Sequence, residues 1–209
     1  LPGIVYNLEK APWVSQIDEL PHLLDAKHKG KFHTTPFLAG FDILLAKELW
    51  GIDKTRSFIE AFAKQVAGVV GCDAHDRIAS GEVLALAMDC SGGSPNTLKF
   101  RGKGILGHQM VGDLISRRYG YISIPTNAAN PNAATLLGVY IATKEGQDRV
   151  MWDYMGMDLT DFDDSNTREI LAPVVAKGKK VVDVTIDWWS ANQAIGKAHL
   201  EMTRIIRGR

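Results

Sequence analysis

No apolar run in the chain approaches the roughly 20 residues that a helix needs to cross a bilayer, so no helical membrane span is written in it. Charge of one sign is not in excess either, with 24 Lys and Arg against 24 Asp and Glu. Surfaces for nucleic acid or anionic membranes usually need a basic excess, so nucleic acid is not expected as a partner. Cysteine is scarce: Cys72 and Cys90 stand alone, without further ligands at zinc spacing, so no metal is expected. A bridge between neighbouring elements in an oxidising compartment and a pair of buried thiols both fit these two. The Gly-x-Ser-x-Gly elbow, the Walker-type loop and His-Glu-x-x-His are missing, and with them the commonest hydrolase, nucleotidase and metalloprotease signatures. An export signal, internal repeats and low-complexity tracts are missing too. What is present is ordinary: 209 residues, 45% hydrophobic and 23% charged. That is a globular composition long enough for one large domain or two small ones.

Periodicity supplies the elements. Gly3–Tyr6 reads as a strand. In Ala11–Lys31 the spacing of Trp13, Ile17, Leu20, Leu23 and Leu24 suits a short amphipathic element before a polar turn. Lys31–Thr35 is a short strand. Phe37–Trp50 is predicted as a helix from Phe41, Leu44, Leu45 and Leu49, with Gly51 ending it. Thr55–Ala67 repeats the pattern with Phe58, Ile59, Phe62 and Val66. Asp73–Ser80 is a short helix, Val83–Met88 an apolar run of the central-strand kind, Ser94–Arg101 a short helix and Ile105–Met110 a strand. Asp113–Tyr119 reads as a loop and Lys180–Asp183 as a loop or edge strand. Asp187–Ile206 has the pattern of one long amphipathic helix. Strands alternate with helices, which predicts an α/β fold with a mainly parallel core.

The most telling stretch is Tyr121–Gln147, YISIPTNAANPNAATLLGVYIATKEGQ. Tyr121–Ile124 alternates as a strand does, and Pro125 stops it. Pro131 suits the first turn of a helix, and Asn132–Ile141 is apolar enough to be buried. Thr143 starts a second helical run. This order, with its Pro-Asn-Ala-Ala and Glu-Gly-Gln segments, resembles the solute-binding proteins of bacterial ABC importers, in the type II periplasmic-binding group that includes the iron(III)-type binders. Leu23–Lys31, Leu-Leu-Asp-Ala-Lys-His-Lys-Gly-Lys, is similar to that family's Leu-x-Asp-Pro-Lys-Trp-Lys-Gly-Lys, with Ala26 and His28 in place of Pro and Trp.

The resemblance implies a two-lobed clamp. Residues 1–126 are then the second lobe with both hinge strands, Gly3–Tyr6 and Tyr121–Ile124. Residues 127–209 are C-terminal helices that belong to the first lobe. About a hundred residues of lobe one precede the first hinge strand in that family, so the chain reads as a C-terminal fragment. Apolar surface left on that side is expected to be exposed, or covered by a homodimer formed through the C-terminal helices.

Ligands of open α/β sheets bind beyond the carboxyl ends of strands, which singles out three loops. Thr34 and Thr35 offer hydroxyls and backbone N–H groups at a helix start, suited to an anion or to a plain helix cap. Asp89, Ser91 and Gly92 follow the central strand, where glycine lets backbone approach a ligand; turn residues and a capping carboxylate fit as well. His108, Gln109 and Asp113 end the next strand, and in the resembling family this loop faces the cleft. A lone histidine is more often a hydrogen-bonded structural residue. The iron binders carry adjacent tyrosines, whereas Tyr119 and Tyr121 are split by Gly120, so a small organic or anionic solute is expected rather than ferric iron. Glu82 reads as a structural carboxylate, and the Trp188–Trp189 pair as core rather than a sugar platform.

The function implied is a non-enzymatic, cofactor-free binding component of an importer. It is exported to the periplasm and hands its solute to ABC permease subunits. The effector-binding domain of a transcription regulator is the alternative on the same fold. An enzyme on that fold lacks a nucleophile–base arrangement.

Overall fold

The computed structural model describes residues 3–90, 104–112, 115–152, 158–159 and 161–208. Its centre is a five-stranded sheet in the order β3-β2-β4-β1-β5, with β1 at Ile4–Asn7, β2 at Phe32–Thr34, β3 at Gly68–Val69, β4 at Ala85–Ala87 and β5 at Leu106–Gln109. β2 runs parallel to both β3 and β4, while β1 is antiparallel to β4 and to β5. Four strands therefore point one way and β1 the other, which is the mainly parallel α/β arrangement the alternation predicts. The predicted helix at Ser94–Arg101 lies outside the described residues.

The period-two rule divides β1 between two cores. Ile4 and Tyr6 join Phe32, Ala85 and Ala87 in the larger cluster, which is capped by helices α1 (Gly51–Ala63) and α6 (Ile195–Ile206). Val5 joins Leu86 and Leu106 on the opposite face, under α2 (His75–Ser80). On the first face Phe41, Phe58 and Phe62 pack with ring centroids 5.5–5.8 Å apart. Such pairs add about 0.5–1.5 kcal/mol each beyond the area they bury.

Several elements differ from the sequence expectation. Phe37–Trp50 is not an α-helix. Its regular part is a 3-10 turn at Asp42–Leu45 in which all four residues are buried. An amphipathic helix has a wet face, and Asp42–Leu45 has none, so the apolar spacing around it reflects burial of a short turn on all sides rather than one face of a helix. Gly51 opens α1 instead of closing a helix, at φ 75°. Ala11–Lys31 holds three 3-10 turns, Pro12–Gln16, Leu20–Leu24 and Ala26–His28. The C-terminal pattern splits into α5 (Ile186–Ala191) and α6, with Asn192 leaving the helix between them. α6 docks Ile195, Ala198, Met202 and Ile206 into the sheet core beside α1, and Arg56 Nε donates to Glu201 at 2.9 Å. The expected unpartnered surface is therefore not on α6.

It is on α3 (Pro131–Ala142) and the segment before it. α3 has no buried residue. Leu136, Leu137 and Val139 are 70%, 56% and 60% exposed, and Tyr121 and Ile122 are both 60% exposed. Tyr121–Ile124 forms no strand; the alternation is there, but no neighbouring strand supplies its hydrogen bonds. The expected second hinge strand is accordingly absent among the described residues, and β1 is held by β4 and β5. The strand lies a few residues earlier, in what reads as a loop: β6 (Ser116–Arg118) pairs in parallel with β7 (Val182–Val184). Arg117 stands opposite Asp183 and donates to both its oxygens at 2.6 and 2.7 Å. This pairing holds the Asp183 carboxyl below its ordinary range. Arg118 pairs with the buried Asp42, tying β6 to the main core. α4 (Asn166–Ala176) starts at Ser165, whose hydroxyl accepts from the Arg168 N–H at 3.1 Å.

Candidate functional site

Register brings the predicted loops to one edge of the sheet. Ile4, the first residue of β1, stands opposite Ala87 of β4 and Gln109 of β5, and Thr34 of β2 stands opposite Ala87. The carboxyl ends of β2, β4 and β5 and the amino end of β1 thus share one rim, the place where open α/β sheets bind ligands. Thr34, Thr35, Asp89, His108 and Gln109 gather there, while Ser91, Gly92 and Asp113 lie outside the described residues.

Each residue's partners limit what it can offer a ligand. Thr34 and Thr35 are fully buried. The Thr34 hydroxyl donates to the Ala87 carbonyl at 3.2 Å. The Thr35 hydroxyl reaches the Phe37 carbonyl at 3.1 Å and the Met88 carbonyl at 3.5 Å. Both side chains clamp β2 to the turn after β4. No α-helix starts behind them, so the helix-dipole anion site expected there is not formed. Gln109 Nε2 donates to the Ile17 carbonyl at 3.0 Å, which leaves the amide oxygen as its free end.

The turn after β4 is the unusual part of the rim. Met88 sits at φ 64°, the one non-glycine residue with positive φ among those described. The N–H groups of Met88 and Asp89 both donate to the Gly3 carbonyl, at 3.0 and 3.1 Å. An L side chain in this region is strained by about 1 kcal/mol or more, and such strain concentrates where backbone is shaped for a ligand. Cys72 and Cys90 form a disulfide with Cα atoms 5.4 Å apart, which anchors the far side of this turn to the segment before α2.

Behind the rim, on the α2 face, lies a group of ionisable side chains. Asp89 is 2% exposed and its carboxylate lies 3.7 Å from His75 Nε2. His108 stands opposite Val5 on the same face, and its Nε2 is buried without a hydrogen-bond partner. Burial pushes the His108 imidazole down to about 4, against the opposite pull of the nearby Asp89 carboxylate. His108 is therefore neutral at physiological pH. Gly3 is needed beside it, because a Cβ there would fall 2.4 Å from His108 Nε2 and 2.7 Å from the Gln109 carbonyl.

Sequence reading missed His75 and the Met88 backbone. His75 had no signal, since its meeting with Asp89 depends on α2 crossing the sheet. Met88 read as the end of a plain strand. Glu82 is paired with Arg77 at 2.6 Å on the surface, and Trp188 packs partly buried against the main core with its indole N–H on Glu48 at 3.0 Å. Among the described residues no group of three or more His, Cys, Asp or Glu is placed to hold a metal ion, and no helix is long and apolar enough to cross a membrane.

No family model and no curated protein matches the chain. Solved structures do. A periplasmic thiamin binding protein aligns over 98% of this chain and 63% of its own, with TM-score 0.64 and 12% identity. Apo ferric ion-binding protein A of Pasteurella haemolytica aligns over 99% and 66%, with TM-score 0.62 and 14% identity. The spermidine/putrescine ABC transporter substrate-binding protein PotD of Streptococcus pneumoniae aligns over 98% and 67%, with TM-score 0.61 and 13% identity. These neighbours are binding proteins, and the chain spans about two thirds of their length. With its strand-reversed sheet and its loops gathered on one rim, the chain has the fold of the type II periplasmic binding proteins of ABC transporters.

Proposed function

We propose that the chain is the solute-contacting part of the binding component of an ABC importer, working in the periplasm and delivering a small organic or anionic solute to permease subunits. The observation that carries this reading is the sheet rim, where separate loops converge beside a strained backbone turn, on a fold shared with substrate-binding proteins. In this reading Thr34, Thr35 and Asp89 shape the wall through their backbone, Gln109 presents its free amide oxygen, and His108 supports the wall from behind; Ser91, Gly92 and Asp113 are proposed as further solute contacts.

The sequence division places residues 1–126 in one lobe and residues 127–209 with the other; because β7 and α6 pack on the core of residues 1–126, the part of 127–209 that we assign to the other lobe is the α3 region. Two features support a surface built to receive more of the first lobe. α3 has the composition of a buried helix but no buried residue. β6 and β7 form a two-stranded parallel sheet, and parallel strands normally lie inside larger, covered sheets. A solute drives closure only through its difference in affinity for the open and closed states. Without a complete opposing lobe that difference is lost, so this chain by itself binds weakly.

Isothermal titration with thiamin, spermidine and ferric ion, with amide-shift mapping by NMR, tests both points. Expected are weak affinities and shifts centred on Thr35, Met88 and Gln109 for the solute that binds. Sub-micromolar affinity of the chain alone refutes the two-lobe requirement. Saturable shifts that avoid the rim refute the site.

A further inference from the structure

A second concavity lies away from the rim. It is lined by Trp13, Gln16, Ile17, His22, Asp25, Lys27, His28 and Lys31 and holds about 450 Å³, within the range of small-molecule pockets. Lys31 directly precedes β2, whose other end reaches the rim at Thr34. One strand of three residues therefore separates the two places, on the order of 10 Å.

The walls are fixed by packing. Trp13 and His28 stack with centroids 4.6 Å apart and planes 19° from parallel. Phe32 meets both rings edge-on from the core, at 5.2 and 5.9 Å. His28 is 5% exposed, and its Nδ1 has no hydrogen-bond partner. Burial and the neighbouring Lys27 hold His28 below the ordinary histidine value, so its ring is neutral and belongs to the aromatic wall. Ile17, 2% exposed, closes the floor of the concavity. These side chains provide a rigid apolar wall, and Gln16 a neutral polar group beside it.

The charges are uneven. Asp25 and Lys27 answer each other at 3.5 Å. Lys31 has no carboxylate partner among the described residues; its ammonium lies 5.5 Å from the centroid of the Trp13 ring. The rim of this concavity thus carries one positive charge without a carboxylate partner, above an aromatic wall, with His22 beside it.

We propose that this concavity is a second ligand site, which takes a small monoanion carrying a flat apolar ring, its ring against Trp13 and Ile17 and its carboxylate on Lys31. The single uncompensated charge favours one carboxylate over a dianion, which would also meet Asp25.

Benzoate is the probe, followed by amide and indole N–H shifts of the intact chain. Benzyl alcohol serves as the uncharged control. Expected is millimolar, saturable binding with shifts at Trp13, Ile17 and residues 22–31. Lys31→Glu should weaken it about fivefold or more, since the variant loses an exposed attraction and adds a repulsion. Lys31 is exposed and its ammonium contacts only the Trp13 ring, and parent-like amide shifts outside residues 13–31 show that the variant folds as the parent does. Benzyl alcohol should bind more weakly than benzoate to the parent and equally to parent and variant. The proposal is overturned by unchanged benzoate affinity in Lys31→Glu, by shifts confined to Thr34, Thr35, His108 and Gln109, or by no saturable shifts at millimolar benzoate. Shifts at the rim alone would leave the importer reading standing while removing this one.

Discussion

His108 makes stability depend on mildly acidic pH. Its imidazole titrates at about 4 in the folded chain instead of 6.5, because its ring is desolvated beneath Gly3 and its Nε2 finds no acceptor. The unfolded chain binds the proton first on acidification. The contribution of neutral His108 to stability is therefore complete above the unfolded value of 6.5, falls as pH drops, and is gone near 4. At about 1.4 kcal/mol per pH unit, the interval amounts to on the order of 3 kcal/mol. His28 and His33 are lowered in the same direction, by burial first, so acid weakens all three together. Carboxylates held low, such as Asp158 and Asp183, lose their contribution only further into acid. The window from about pH 6 to about pH 4.5 therefore reports mainly on histidine. Urea denaturation followed by tryptophan fluorescence at steps through that window measures the slope. In His108→Gln, compared with its own value at neutral pH, the loss of stability should be shallower by about 1 kcal/mol per pH unit. If parent and variant fall in parallel, His108 is not the desolvated neutral base the geometry describes.

Four further outcomes are expected. Reducing the Cys72–Cys90 disulfide, whose partners are 18 positions apart, should cost about 3 kcal/mol in the chain-entropy picture, read as a lower urea midpoint with reductant. Met202→Ala should cost about 2–5 kcal/mol, because Met202 is fully buried where α6 meets the core; a cost typical of a surface site would mean that α6 does not dock. Gly3→Ala should destabilise by about 1–3 kcal/mol, and His108→Ala should restore part of that, since only one of the two clashing groups is a side chain. Leu136→Lys should change stability by no more than about 0.5 kcal/mol, because Leu136 is 70% exposed. Sedimentation velocity should show parent self-association falling in the variant if the α3 face pairs two copies.

The candidate site was partly legible. Thr34, Asp89 and Gln109 could be singled out because each ends or follows a run of strand character, and ligands gather at strand ends. That they share one rim follows from register and from the reversed direction of β1, which no local pattern encodes. The roles of these residues were less accessible. Thr34 looks like a free hydroxyl donor, yet it is spent on the Ala87 carbonyl, and Asp89 looks like a loop acid, yet it turns inward toward His75.

The amino-acid sequence by itself determined the α/β class and the positions of many elements, because side-chain periodicity is set by the geometry of helices and strands and needs no partner. It also carried α3, whose Pro131 start and apolar body survive although none of its residues is buried. Tertiary structure alone decided which segment of this region became a strand. Ser116–Arg118 did, with Val182–Val184 to bond to, and Tyr121–Ile124 did not. A helix satisfies its backbone within its own segment, whereas a strand borrows its hydrogen bonds from a distant one, and that loan is arranged only when the chain is folded.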